Sequence, residues 1–271
     1  MLARPTREQL EHLTTNERLT FAITDFLARP ALAPVSTAWT AAVTGGLIWA
    51  SASKRLHVTG LEHLARFGKK DSFVVVANHR SFFDFFVISA ILYWRTRVSK
   101  RMFYPTRGTF FYDHPLGTAV NLAMSGGRMF PPILREKEKR AFNKYALDRC
   151  LAELDVPGTI LAVHPEGTRN KGEDPYAFLP AQPGAGQLAL AGKPTIPVFV
   201  LGMTNRLGAE LIHNWTDPGP HRIDVCFGPP IELGDLLPHV HSLRAQKQAG
   251  DRCMAAIARL AAEQRAAAKE R

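Results

Sequence analysis

The chain has 271 residues, 46% of them hydrophobic, enough to fill the core of one large domain or of one domain with a small appendage. Thirty-four Lys and Arg against 24 Asp and Glu leave a net charge of +10, which calls for an anionic partner, yet no nucleic-acid motif and no base-stacking alternation of aromatic and basic residues is present. Cys150, Cys226 and Cys253 are odd in number and far apart, which excludes a disulfide framework or zinc spacing and fits a reducing compartment.

In chain order, Thr6 to Leu27 reads as amphipathic, with Leu10, Leu13, Phe21, Phe26 and Leu27 set among charged residues. Ala31 to Ser53 then holds no charge. It is long enough to span a bilayer, which takes about 20 residues, but it is rich in Ala, Thr, Ser and Gly. Trp39 and Trp49 fit an interfacial belt. Two short helices dipping into one leaflet, or a helical hairpin packed on the domain, account for both segments. Glu8, Glu11 and Glu17 argue against a cleaved signal peptide.

Phe73 to Ala77 is a continuous apolar, β-branched run, the pattern of a strand buried on both faces. Asn-His-Arg-Ser-Phe-Phe-Asp (Asn78 to Asp84) follows, with Ser81 or Asn78 as caps for the next helix and Asp84 in its first turn. Residues five apart do not share a helix face, so a contact between His79 and Asp84 requires His79 in the turn. There Asp84 fixes the imidazole tautomer and the other ring nitrogen takes a proton from a hydroxyl. The bland alternative is a capping pair with a solvated carboxylate.

Lys137 to Leu154 is helical, and Thr159 to Val163 is a second buried strand. His-Pro-Glu-Gly-Thr-Arg (His164 to Arg169) turns away from it. Pro165 holds His164 extended, and Gly167 permits the tight turn. Arg169 presents a planar fork for phosphate, the Gly167 and Thr168 amides are candidate donors, and Glu166 either orients Arg169 or binds an acceptor hydroxyl. His164 reads as a packing residue. A helix over Gln187 to Ala191, strands over Pro194 to Val198 and Ile223 to Phe227, and a helix over Leu243 to Lys269 complete the chain. The sequon at Asn214-Trp215-Thr216 reads as a chance match.

The two motifs, in this order, resemble the signatures of the glycerophospholipid acyltransferase family, His-x4-Asp followed by Phe-Pro-Glu-Gly-Thr-Arg. The resemblance covers about Val58 to Leu233. It implies transfer of an acyl chain from a coenzyme A or acyl-carrier-protein thioester to a lysophospholipid or glycerol phosphate hydroxyl, with no cofactor and no metal. His79 is then the general base and Asp84 its orienting partner. Glu166, Gly167, Thr168 and Arg169 bind the acceptor, with Arg107, Arg128 and Arg135 as further phosphate ligands and Arg135 preferred over Arg128. The chain departs from the family at His164 (an aromatic there), at Gln182 (a lysine) and at Pro131-Pro132, which interrupt the intermediate signature.

The expected architecture is α/β: a mixed sheet flanked by helices. A membrane-binding helical pair (1–55) precedes a catalytic domain (56–242) and a C-terminal helix (243–271). With a lipid substrate the charge assigns an anionic membrane surface as partner and the cytoplasmic face as location. The expected acceptor is 1-acylglycerol-3-phosphate. The competing readings are another lysolipid such as an aminolipid, a non-catalytic membrane-binding module, and a metal-dependent hydrolase using His79, Asp84 and His164.

Overall fold

The two apolar runs that precede the motifs lie side by side at the centre of the molecule. The computed structural model describes residues 4–134 and 136–270. The helices are α1 (Arg7–Leu10), α2 (Thr15–Ala28), α3 (Ala33–Ala52), α4 (Asp84–Arg95), α5 (Gly108–Phe111), α6 (Pro115–Ser125), α7 (Arg140–Leu154), α8 (Pro183–Ala189), α9 (Leu207–Thr216) and α10 (Leu243–Lys269). The strands are β1 (Leu56–Thr59), β2 (Phe73–Ala77), β3 (Arg101–Phe103), β4 (Thr106–Arg107), β5 (Pro132–Ile133), β6 (Thr159–Val163), β7 (Thr195–Leu201) and β8 (Ile223–Phe227).

Six strands form a mixed sheet in the order β1-β8-β7-β2-β6-β3, in which β7, β2, β6 and β3 are mutually parallel and β8 runs antiparallel to β7. Every residue of β2 and β6 is buried. Val74, Val76, Leu161 and Phe199 point into one core layer with Phe142, Leu188 and Ile257 from α7, α8 and α10. Phe73, Val75, Ile160 and Val198 point into the other, with Ile48 of α3 and Ile88 and Ile91 of α4. Each such side chain stabilises the fold by about 1.5–3 kcal/mol relative to exposure, which is why β-branched runs specify both central strands.

Helix α2 packs part of its surface on the domain. Its start is fixed by a capping box between Thr14 and Glu17. Leu13 and Phe21, two of the apolar residues of the amphipathic pattern, are buried in protein, where Phe21 packs on Phe130, Phe142 and Tyr145. Glu17 receives Lys139 Nζ at 2.8 and 2.9 Å, and Asp25 receives Arg149 Nη1 at 2.6 Å. Leu19 and Phe26 stay exposed. Helix α3 follows at a 102° bend and packs along α4, α6 and α9. Among the described residues no single helix is long and apolar enough to cross a membrane.

Helix α8 begins at Pro183 rather than near Gln187, with proline at its first turn and Gly186 so close to α10 that a methyl there would collide with the Gln246 carbonyl. Asn214 is fully buried, its amide donating to Ala50 O at 3.0 Å and its carbonyl accepting Lys54 N–H at 2.9 Å, so the sequon is closed in the folded chain.

Candidate active site

Three neighbouring parallel strands, β7, β2 and β6, end at one edge of the sheet, and the residues leaving them meet there. His79 follows β2, His164 follows β6 and Asn205 follows β7. This edge is where open α/β sheets place their ligands.

His79 lies in the turn, as the five-residue spacing requires, and Asp84 opens α4. Phe83, the N-cap, supplies no side-chain acceptor. The first turn is closed instead by Asp84 Oδ2, which accepts N–H groups from Arg80 and Ser81, each at 2.8 Å, and the His79 Nδ1–H at 3.3 Å. Ser81 Oγ accepts Phe83 N–H at 3.1 Å. Asn78 is not a cap. It pairs with Val200 of β7 in both directions, each bond 2.8 Å, and so ties two strand ends together.

Burial pushes the Asp84 carboxyl up to about 6, against the pull of His164, the Ser81 and Arg80 amides and the Arg80 guanidinium. Burial also pushes His79 down to about 3, helped by the Arg169 guanidinium and opposed by the Ser81 backbone. Near neutral pH the pair is therefore a carboxylate beside a neutral imidazole. The carboxylate holds the proton on Nδ1, and Nε2 keeps its lone pair, the state a general base needs.

The peptide of His79 is held at both ends. Its N–H donates to Glu166 Oε1 at 2.9 Å, and its carbonyl accepts Asn170 N–H at 2.7 Å. Glu166 Oε2 accepts Leu179 N–H at 2.9 Å, and the carboxylate is buried, which raises its pKa against those two amides. Glu166, expected to orient Arg169 or to meet the acceptor, thus accepts from a backbone N–H with each oxygen. Arg169 Nη1 instead reaches Asn205 Oδ1 at 3.2 Å. Asn205 Oδ1 also accepts Phe82 N–H at 2.7 Å, which joins the β7 exit to the His79 turn.

Gly167 takes φ +63°, the left-handed region that the turn requires. Its N–H donates to His164 O at 3.0 Å, so this amide closes the turn rather than facing the acceptor. Its carbonyl accepts Arg107 Nη2 at 3.1 Å, which brings Arg107 to the same turn as the half-buried Thr168 and the exposed Arg169. Arg128 lies elsewhere. It is buried beneath α3, donates to Ala33 O at 2.9 Å and Thr37 Oγ1 at 3.2 Å, and sits 4.7 Å over the Phe103 ring. Burial lowers its pKa to about 10. Its expected place as a phosphate ligand is therefore corrected to a packing one. Arg135 lies outside the described residues.

His164 packs, as expected, with its ring between His79 and Phe85, 3.7 Å from each, and parallel to His79 within 6°. Its Nδ1–H donates to Ala77 O at 3.0 Å. Burial drives its pKa well down. Donor atoms of His79, Asp84 and His164 lie within 4.8 Å of one another. Parallel stacking, however, sends the in-plane lone pairs of the two rings side by side instead of toward a common centre, and one His164 nitrogen is already occupied. The set does not fit a metal chelate of the usual geometry.

The family model described as Acyltransferase matches residues 55–201, more than half of the chain. Comparison with curated proteins gives no match. Among solved structures, the crystal structure of the 1-acyl-sn-glycerophosphate (LPA) acyltransferase, PlsC, from Thermotoga maritima is similar at a TM-score of 0.47 and 17% identity, covering 88% of this chain and 96% of that chain.

Proposed function

The chain belongs to the acyltransferase family, and within it we propose that the protein moves a fatty acyl chain from a coenzyme A or acyl-carrier-protein thioester to the hydroxyl of 1-acylglycerol-3-phosphate, giving phosphatidic acid. One observation carries this reading: a neutral His79 held by the Asp84 carboxylate at 3.3 Å, beside the exposed guanidinium of Arg169. His79 Nε2 takes the hydroxyl proton as the oxygen attacks the thioester carbonyl. The new C–O ester bond forms, the C–S bond breaks, and the imidazolium returns the proton to the departing thiolate. Asp84 steadies the imidazolium in between. Arg169, with Arg107 behind the same turn, supplies the fork for the acceptor phosphate, and Arg135 remains a ligand on sequence grounds alone. Acceptor and product are bilayer lipids, which together with the net charge of +10 supports a place at the cytoplasmic face of the membrane.

The test is thiol release by purified protein from acyl-coenzyme A and acyl-carrier protein against a panel of lysolipids. Turnover of 1-acylglycerol-3-phosphate at least about tenfold above that of acceptors lacking a phosphomonoester is expected. Preferred turnover of an amino-lysolipid would move the assignment to that acceptor, and no thiol release with any acceptor would end it.

A further inference from the structure

From Ser36 to Thr44 helix α3 is built inside out, before Ile48 and Ala52 enter the core. Its buried side carries hydroxyls: Ser36 donates to Gly126 O at 2.6 Å, Thr40 to Ser125 O at 2.7 Å and Thr44 to Met124 O at 2.8 Å, all satisfied by α6 and the turn after it. Its outward side carries Val35, Trp39 and Trp49 with Ala38, Ala42 and Gly46 between them. A surface helix in water shows the reverse arrangement.

All four tryptophans of the chain are exposed: Trp39 at 51%, Trp49 at 63%, Trp94 at 69% and Trp215 at 46%. They are not scattered. The Trp94 indole, from the last turn of α4, lies where a side chain on Gly45 of α3 would stand. Trp49 meets Trp215 of α9 edge to face, with ring centroids 5.4 Å apart. Trp39 and Trp215 donate their indole N–H groups to Ala123 O at 2.9 Å and Ala50 O at 2.7 Å, which anchors the rings at the surface. Ile212, at 61% exposure one turn before Trp215, continues the strip along α9.

Charge borders the strip without entering it. No residue of α3 is charged. Lys54 sits 4.4 Å over the Trp215 ring and Lys100 5.9 Å from that of Trp94, with Arg95 and Arg97 beside Trp94 and Asp217 beyond Trp215. We propose that the bilayer contact expected of the N-terminal helices continues over the end of α4 onto α9, so that α9, more than 150 residues from α3 in sequence, is an integral part of one contact plane for an anionic bilayer. Tryptophan is the side chain that prefers the lipid–water boundary, and lysines at the rim reach anionic head groups while their stems stay on apolar surface. A helix with hydroxyls inward and indoles outward is at ease where the outer medium is apolar. An acidic carrier protein would need cations at the centre of the face rather than at its edge.

This inference rests on the proposed lipid acceptor only for its biological sense, and the experiment separates the two. Full-length protein is mixed with phosphatidylcholine–phosphatidylglycerol vesicles bearing brominated chains, and tryptophan emission is read. Strong quenching with a blue shift is expected. Ile212→Asp and Val35→Asp, both at exposed positions, should each lower vesicle partitioning roughly tenfold or more. Thiol release with a short-chain, water-soluble lysophosphatidate should stay at the wild-type rate in both variants. Wild-type partitioning of Ile212→Asp would overturn the proposal, because α9 would then lie off the membrane. Absent quenching would overturn it as well, as would a dimer in solution that Ile212→Asp dissociates. A wild-type protein that binds vesicles through both helices but transfers no acyl group would support the contact plane and end the acyltransferase assignment.

Discussion

Asp84→Asn isolates the charge of the carboxylate from its hydrogen bonds. Asp84 Oδ2 accepts two backbone N–H groups at 2.8 Å and His79 Nδ1–H at 3.3 Å. A carboxamide oxygen keeps the acceptor position for the backbone, so the start of α4 survives. What is lost is the negative charge beside the imidazolium that forms during acyl transfer. Two unit charges 3.3 Å apart attract by about 5 kcal/mol at an effective dielectric near 20. Part of this is forfeited to charge delocalisation over both groups, which leaves about 3 kcal/mol, or a loss in kcat of about 100-fold. Thiol release from acyl-coenzyme A at saturating acceptor measures it, with thermal unfolding as the control for folding. Asp84→Ala should differ, since it orphans two amides and lowers stability by about 2–4 kcal/mol. A folded Asp84→Asn protein within threefold of the wild-type kcat would refute the reasoning.

Arg169→Ala should raise the acceptor KM by at least about tenfold and leave the donor KM nearly unchanged, and Asn205→Ala should do the same more weakly through loss of its 3.2 Å contact to Arg169. His164→Phe should keep most of the activity, because the position between His79 and Phe85 asks for a flat ring, whereas His164→Ala should lower kcat by letting the base tilt. Arg128→Met should leave the acceptor KM unchanged, since the guanidinium is buried over Phe103, and thermal unfolding should show whatever effect it has on stability.

What the sequence made legible follows from range. β2, β6, β8 and α10 coincide with the segments read from apolar runs and helical composition, because those signals are local. His79 in the turn and Asp84 at the helix start follow from a spacing that forbids a shared helix face. The contacts that fix the base span the chain: Asn78 meets Val200, Glu166 meets His79, and Asn205 meets Arg169 and Phe82. Glu166 beside Arg169 in sequence looks like an ion pair, yet the turn at Gly167 sends the two apart. Asn205 carries no local signal: only the sheet order puts the β7 exit beside the two motifs. The sequence alone starts α8 too late, because its Gly-Ala-Gly opening looks like a loop and only the packed structure shows that α10 needs that close approach. The amphipathic pattern of α2 and the uncharged run of α3 do not say what covers each face: in α2 protein covers Phe21, while in α3 it covers the hydroxyls of Ser36, Thr40 and Thr44.

The site's electrostatics make the base depend on the acceptor, which leads to a pH prediction. Arg169 lies close enough to help hold His79 near 3, a value that keeps it neutral but makes it a weak base. An acceptor phosphate on Arg169 offsets that positive charge and adds negative charge near the ring. His79 then rises toward the range in which a base is effective, and the Asp84 carboxyl, at about 6 in the free site, rises with it. Activity needs a neutral His79 and an ionised Asp84, so it falls as pH drops through the higher of the two values, which is that of Asp84. In kcat/KM, which reports the free enzyme, the acid limb should therefore lie near pH 6. In kcat, which reports the complex, it should lie above that. Rate profiles from pH 4 to 9 against both parameters measure the difference. A kcat limb at or below the kcat/KM limb would mean that the phosphate does not sit beside His79, and that Arg169 serves some other group.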